Sequence, residues 1–167
     1  APIKFMEKNY EDGSTETTYI ATDGSILGSS IAHSQPADGT DQAGSGVTYF
    51  DANDNYLGHY NISPDGRSES FIIEDIIDSG AVTGRKETRT ESEEVNGSVI
   101  YSRTVVEKFD AGGNSLGRTE TITVIDSGTG NPTTVITEFD GNGTVIGSFD
   151  GDGKILDPLA VFQIGSF

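Results

Sequence analysis

The sequence predicts an all-β fold, an antiparallel meander of repeated β-hairpins, and three observations predict it. Turn signals punctuate the 167 residues about every 10–17 positions. The stretches between them are rich in Thr, Val, Ile and Tyr, the residues that fit a pleated, half-buried surface. A nine-residue motif also returns along the chain, with starts at 20, 50, 109 and 139 that lie 30, 59 and 30 residues apart. That spacing implies a repeat of about 30 residues, with a degenerate copy near Ile77–Gly84.

The motif reads apolar-Asp-x-x-Gly-x-x-Leu-Gly. Its copies are Ile20–Gly28, Phe50–Gly58, Phe109–Gly117 and Phe139–Gly147; the first has Ala21 in place of Asp and the second Asp54 in place of Gly. Each part has a physical role in a hairpin. The Asp accepts hydrogen bonds from backbone N–H groups a few residues on. The central Gly or Asn supplies the positive φ of a tight turn. The Leu is expected to re-enter the core on the return strand, and the closing Gly to mark a bulge or a close approach of backbones.

Further turns fall at Asp12-Gly13, Pro64-Asp65-Gly66, Asp78-Ser79-Gly80, Asn96-Gly97, Asp126 to Pro132, and Asp150-Gly151-Asp152-Gly153. Ser98–Phe109, Arg118–Asp126 and Thr133–Phe139 read as strands, and Val99, Tyr101, Val105 and Phe109 share one side of the first. Arg85–Glu94 is polar at almost every position and reads as an edge strand or a strand solvated on both faces. Residues 33–46 read as a long loop, and the apolar C-terminal segment 156–167 must pack on something. The whole, 1–167, is expected to be a single β-repeat domain of ten to twelve short strands, arranged as an open curved sheet, a sandwich or a barrel.

Only 33% of residues are hydrophobic and 22 are Gly, so the core is thin or the sheet exposes much of both faces. The formal charge of -17 excludes nucleic acid as a partner, because such binding relies on Lys and Arg displacing counterions. The same charge repels anionic membranes, and no apolar run is long enough to insert as a helix. The absence of Cys removes disulfides, thiolate catalysis and Cys-based zinc sites. Without a signal peptide, the start at Ala1-Pro2 reads as a processed mature form, an excised fragment or a protein exported through an uncleaved signal.

Structural Ca2+ is the one cofactor that the carboxylates suggest. Asp51, Asn53 and Asn55 stand at alternate positions, as do Asp150 and Asp152, a spacing that opens many oxygen-ligand loops. Asp110, Asp140 and Asn142 occupy the equivalent turn positions and complete the candidate metal set. The twelfth positions counted from Asp51 and Asp150 are Ile62 and Val161, which rules out an EF-hand, and plain turn chemistry competes at every one of these residues. No catalytic residue is assigned. His33 and His59 have no spaced metal partner, and no nucleophile elbow, phosphate loop or dinucleotide fingerprint occurs. Tyr10, Tyr19, Tyr49, Tyr56, Tyr60 and Tyr101 are available as sugar platforms or for packing. Asn61-Ile62-Ser63, Asn96-Gly97-Ser98 and Asn142-Gly143-Thr144 match the glycosylation pattern, and the last two are more simply turns.

At Phe50-Asp51, Phe109-Asp110 and Phe139-Asp140 the chain resembles two groups. One is the tyrosine-aspartate repeat of bacterial shell-forming toxin proteins, in which an aromatic-Asp-x-x-Gly turn joins paired strands. The other is the Gly/Asp-rich repeat of type I secreted bacterial adhesins and calcium-dependent exoproteins. The resemblance implies a bacterial, extracellular or cell-surface, non-catalytic setting. The expected function is therefore a secreted structural or adhesive protein that self-assembles through strand edges or the C-terminal segment into a homo-oligomer or filament. The alternatives are a calcium-dependent module that binds polysaccharide and, third, a carbohydrate-active enzyme.

Overall fold

The computed structural model describes residues 4–35, 44–62 and 66–156. Eleven antiparallel strands follow one another as hydrogen-bonded neighbours in chain order, an open meander, and no helix occurs among the described residues. Contacts divide the chain into two units, Ala1–Ile72 and Ile73–Phe167. The first holds β1 (Lys4–Asn9), β2 (Thr15–Ile20), β3 (Ile26–Gln35), β4 (Gly44–Asp51), β5 (Tyr56–Ile62) and the first part of β6 (Arg67–Asp78). The second holds the rest of β6, then β7 (Ala81–Val95), β8 (Ser98–Asp110), β9 (Ser115–Ile125), β10 (Pro132–Phe139) and β11 (Val145–Asp150).

Two kinds of turn recur in the hairpins, and a longer one, in which Asp126 N–H donates to the Asn131 carbonyl and Gly130 N–H to the Asp126 carbonyl, joins β9 to β10. In the first, a residue donates its N–H to the carbonyl four positions on and accepts the N–H from three positions on. Tyr10, Ala21, Asp51, Asp110, Asp140 and Asp150 all head turns of this kind. The left-handed position falls to Gly in five of them and to Asp54, at φ 62°, in the turn headed by Asp51. The second kind is the two-residue mirror-image turn, with positive φ at both Ser79-Gly80 and Asn96-Gly97.

The motif turns are each followed by a bulge. Register shifts leave one residue unpaired between Ile26 and Gly28, Tyr56 and Gly58, Ser115 and Gly117, and Val145 and Gly147. Those residues are Leu27, Leu57, Leu116 and Ile146. They do not re-enter a core as expected from their hydrophobicity: Leu27, Leu116 and Ile146 are 50%, 61% and 64% exposed. The physical reason is the bulge, which takes the residue out of the alternating pattern. The closing Gly, by contrast, is both bulge and close approach. A Cβ on Gly28, Gly58 or Gly117 would stand 2.5, 1.9 or 2.7 Å from the carbonyl oxygen of Phe50, Phe71 or Phe139 on the next strand.

Arg85–Glu94 is not an edge strand. It lies inside β7, paired along its length with β8 and flanked by β6, to which Thr83 Oγ1 donates at the Ile76 carbonyl and Lys86 pairs with Glu74 at 2.9 Å. Alternation puts Arg85, Glu87, Arg89, Glu91 and Glu93 on one face, and Lys86, Thr88, Thr90, Ser92 and Glu94 on the other. The predicted loop 33–46 is shortened from both ends, since His33–Gln35 continue β3 and Gly44–Gly46 begin β4. Residues 36–43, the Pro64-Asp65 turn and most of the C-terminal segment, 157–167, lie outside the described residues.

Substantial contacts between elements run between ladder neighbours. Burial is accordingly slight. Ile122 and Val135, cross-strand partners on β9 and β10, are the only buried apolar side chains among the described residues, with Thr137 and Ser148 buried beside them. On the same face Arg103 Nη2 donates to Glu120 at 2.9 Å, and Arg118 lies 3.9 Å over the Phe139 ring. Long charged side chains thus lay their aliphatic stems across the thin core.

Candidate functional site

The eight predicted metal ligands lie in turns, and the turns explain what their oxygens do. Asp51 Oδ1 accepts the backbone N–H of Asn53 and Asn55 at 2.8 and 2.9 Å, and Oδ2 accepts Asn55 Nδ2 at 2.9 Å. Asp110 Oδ1 accepts the Asn114 N–H at 2.9 Å, and its Oδ2 accepts Asn114 Nδ2 at 3.0 Å. Asp140 Oδ1 takes the N–H groups of Asn142 and Thr144, both at 2.9 Å. Asp150 Oδ1 takes those of Asp152 and Lys154 at 2.9 and 2.8 Å. Asn53, Asn142 and Asp152 therefore face the carboxylate with their backbone N–H. Each carboxylate closes its own turn, and no group of three or more His, Asp or Glu side chains able to hold a metal forms among the described residues.

At Asp51 and Asp110 such bonds favour the ionised carboxylate. The Asn55 side chain first, and then its backbone N–H, hold the Asp51 carboxyl below its ordinary range; Asn114 does the same for Asp110. Ser14 and Ser25 lower Asp12 and Asp23, and the Thr129 backbone N–H lowers Asp126. A depressed folded-state pKa stabilises the fold fully above the ordinary carboxylate value of about 3.9, and that stability is lost as pH falls through the folded value. Asp110→Asn keeps an acceptor but not the charge. The variant is expected to melt below the wild type at pH 6, with the gap closing as pH falls below about 4 through the lowered folded-state value. A gap independent of pH would show that the charge of this carboxylate is not what caps the turn. On the turn reading, EDTA leaves both melts unchanged.

Both faces of the first unit carry aromatic side chains, placed by register. Direct cross-strand partners share a face. On one face Tyr56 OH is hydrogen-bonded to His59 Nδ1, and His59 Nε2 lies 3.4 Å from Glu69 Oε1. The rings of Phe50, Tyr56, His59 and Phe71 gather there at centroid distances of 6.1–6.5 Å. His33, on the same face, reaches over Gly46 beside Asn61. The Tyr–His–Glu chain orients an imidazole on an open sheet surface.

The opposite face carries Phe5, Tyr19, Tyr49 and Tyr60. Phe5 pairs with Tyr19; Tyr19 OH lies 3.2 Å from Ser30 Oγ; Ser30 pairs with Tyr49; and Tyr49 pairs with Gly58. Of the tyrosines open to either role in the sequence, Tyr56 and Tyr60 part company: the bulge at Leu57 sends Tyr56 to one face and Tyr60 to the other. Tyr19 and Tyr49 are 30 positions apart, each paired with the closing Gly of a motif; that coincidence was the available signal, and it needs the register to be read. No protein-family profile and no curated protein matches the chain.

Proposed function

We propose that the chain is a non-enzymatic structural and adhesive β-repeat segment acting on the outside of a bacterial cell. The observation that carries this reading is the exposure of the ladder's faces: large apolar side chains stand in solvent along the chain while Ile122 and Val135 alone are buried among the described apolar residues. Such a sequence maintains surface rather than an enclosed pocket. The charge of -17 keeps that surface soluble.

Self-association has a specific place to start. After the Asp150 turn the chain comes back along β11, with a bridge between Phe149 and Ile155 and the Leu156 N–H donating to the Ser148 carbonyl at 2.8 Å. Strand edges are templates for further pairing. The reading holds that segment 156–167 joins neighbouring copies. Sedimentation velocity and negative-stain microscopy, with and without calcium, test it. Concentration-dependent assembly that stops on deleting 157–167 is the expected result. A monomer at every concentration, with a melt indifferent to EDTA, ends the assembly and calcium readings together. A second reading, a polysaccharide-binding module, is favoured by the tyrosine-bearing face of the first unit.

A further inference from the structure

We infer that the face of the first unit carrying Phe5, Tyr19, Tyr49 and Tyr60 is a docking platform for an uncharged, extended polysaccharide. The inference deepens the polysaccharide-binding reading by naming the site and the class of polymer.

The four side chains form an exposed aromatic band that runs from strand to strand. Gly28, Ser30 and Gly58 are buried, Ser30 to 5% exposure, on the face where Tyr19 and Tyr49 stand. Tyr19 is opposite Gly28 and reaches Ser30 with its hydroxyl; Tyr49 is opposite both Ser30 and Gly58. The two rings therefore roof β3 and β5 where those strands lack bulk. They remain 36% and 41% exposed. Phe5, 63% exposed, continues the band on β1, and Tyr60 continues it on β5, one diagonal step from Tyr49.

The chemistry selects a neutral sugar polymer. A pyranose has an apolar face of C–H groups that stacks on an aromatic ring and a rim of hydroxyls that needs hydrogen bonds, which is the demand an amphipathic Tyr meets. Thr17, two residues from Tyr19 on the same face of β2, adds a hydroxyl to the band, while Thr15 Oγ1 donates to Asn9 Oδ1 at 2.8 Å. From β1 to β5 the band crosses four strand intervals, about 19 Å at ~4.8 Å each, a length that several linked sugar rings fill. No Lys or Arg from β1–β5 lies on this face, while Glu7 and Asp51 do. An anionic polymer would meet only repulsion, reinforced by the charge of -17. The same charge opposes a second copy laid on this face.

The test uses the full chain in affinity electrophoresis through gels containing neutral soluble β-glucan, with alginate as the anionic polymer, and in retention on microcrystalline cellulose. Retardation or retention by the neutral polymers and none by alginate is expected. Tyr19→Leu with Tyr49→Leu keeps apolar cover over β3 and β5 but removes the π faces, and is expected to weaken binding at least about tenfold, or 1.4 kcal/mol. Phe5→Ser, at an outer exposed ring, gives a measurable weakening even if the double variant fails to fold. Leu116→Ser in the other unit leaves binding unchanged. No interaction with any neutral polymer, equal binding by the Tyr and Phe variants, or a preference for alginate overturns the inference. Self-association abolished by the same substitutions overturns it in favour of a second copy. No polymer binding by the wild-type chain, with C-terminal assembly intact, removes this site and leaves the structural reading standing.

Discussion

Gly58→Ala is expected to lower the stability of the first unit by about 2–4 kcal/mol, combining overpacking of about 1–3 kcal/mol with the strain of a positive φ. Gly58 sits at φ 150°, and a methyl group there would stand 1.9 Å from the Phe71 carbonyl oxygen and 2.8 Å from the Ile72 Cα. Both are backbone atoms of the paired strand β6, so relief requires the ladder itself to open. Gly24→Ala separates the two contributions. Gly24 also has positive φ, at 86°, but nothing lies within 4 Å of its added Cβ, so its cost is limited to about 1 kcal/mol of backbone strain. Urea midpoints of the two variants measure the difference. Equal midpoints would mean that the close approach between β5 and β6 is not maintained in solution.

The comparison of Gly58 with Gly24 also shows what was legible in the sequence. Turn chemistry was: Asp, Gly and Asn encode their backbone locally, Asp51, Asp110 and Asp140 head turns where the motif put them, and Asp150 heads the further turn expected at Asp150–Gly153. The closing Gly was legible as a bulge or close approach because only a missing side chain permits either. Leu27, Leu116 and Ile146 misled, because hydrophobicity alone does not reveal that a bulge has shifted a residue out of the alternation. Arg85–Glu94 was legible in part. Of the two readings, an edge strand or a strand solvated on both faces, the edge fails and the residues on both faces stay half-buried or exposed; cross-strand partners such as Arg103, 3.9 Å from Glu91, allow a charged strand to sit inside the ladder. The candidate site was least legible. Tyr19 and Tyr49 become neighbours only through the pairing of both with β3, which is a property of register and not of spacing along the chain.

Ile122→Ala is expected to cost the second unit about 2 kcal/mol, near the lower end of the range for buried Ile truncation. The low end follows from the architecture. Ile122 is 9% exposed and its partner Val135 3%, and they are covered on an open sheet by side chains such as Arg103 and Glu120 rather than by a second layer. Flexible stems can settle into part of the space that the missing atoms leave, which a packed interior cannot do. Leu116→Ala removes a side chain of similar size that is 61% exposed, and is expected to stay within about 0.5 kcal/mol of wild type. Equilibrium urea denaturation resolves a difference of this size. If Leu116 proves the more costly of the two, the apolar bulge residues are covered in the native protein, and the exposed end of the hairpins is itself an interface.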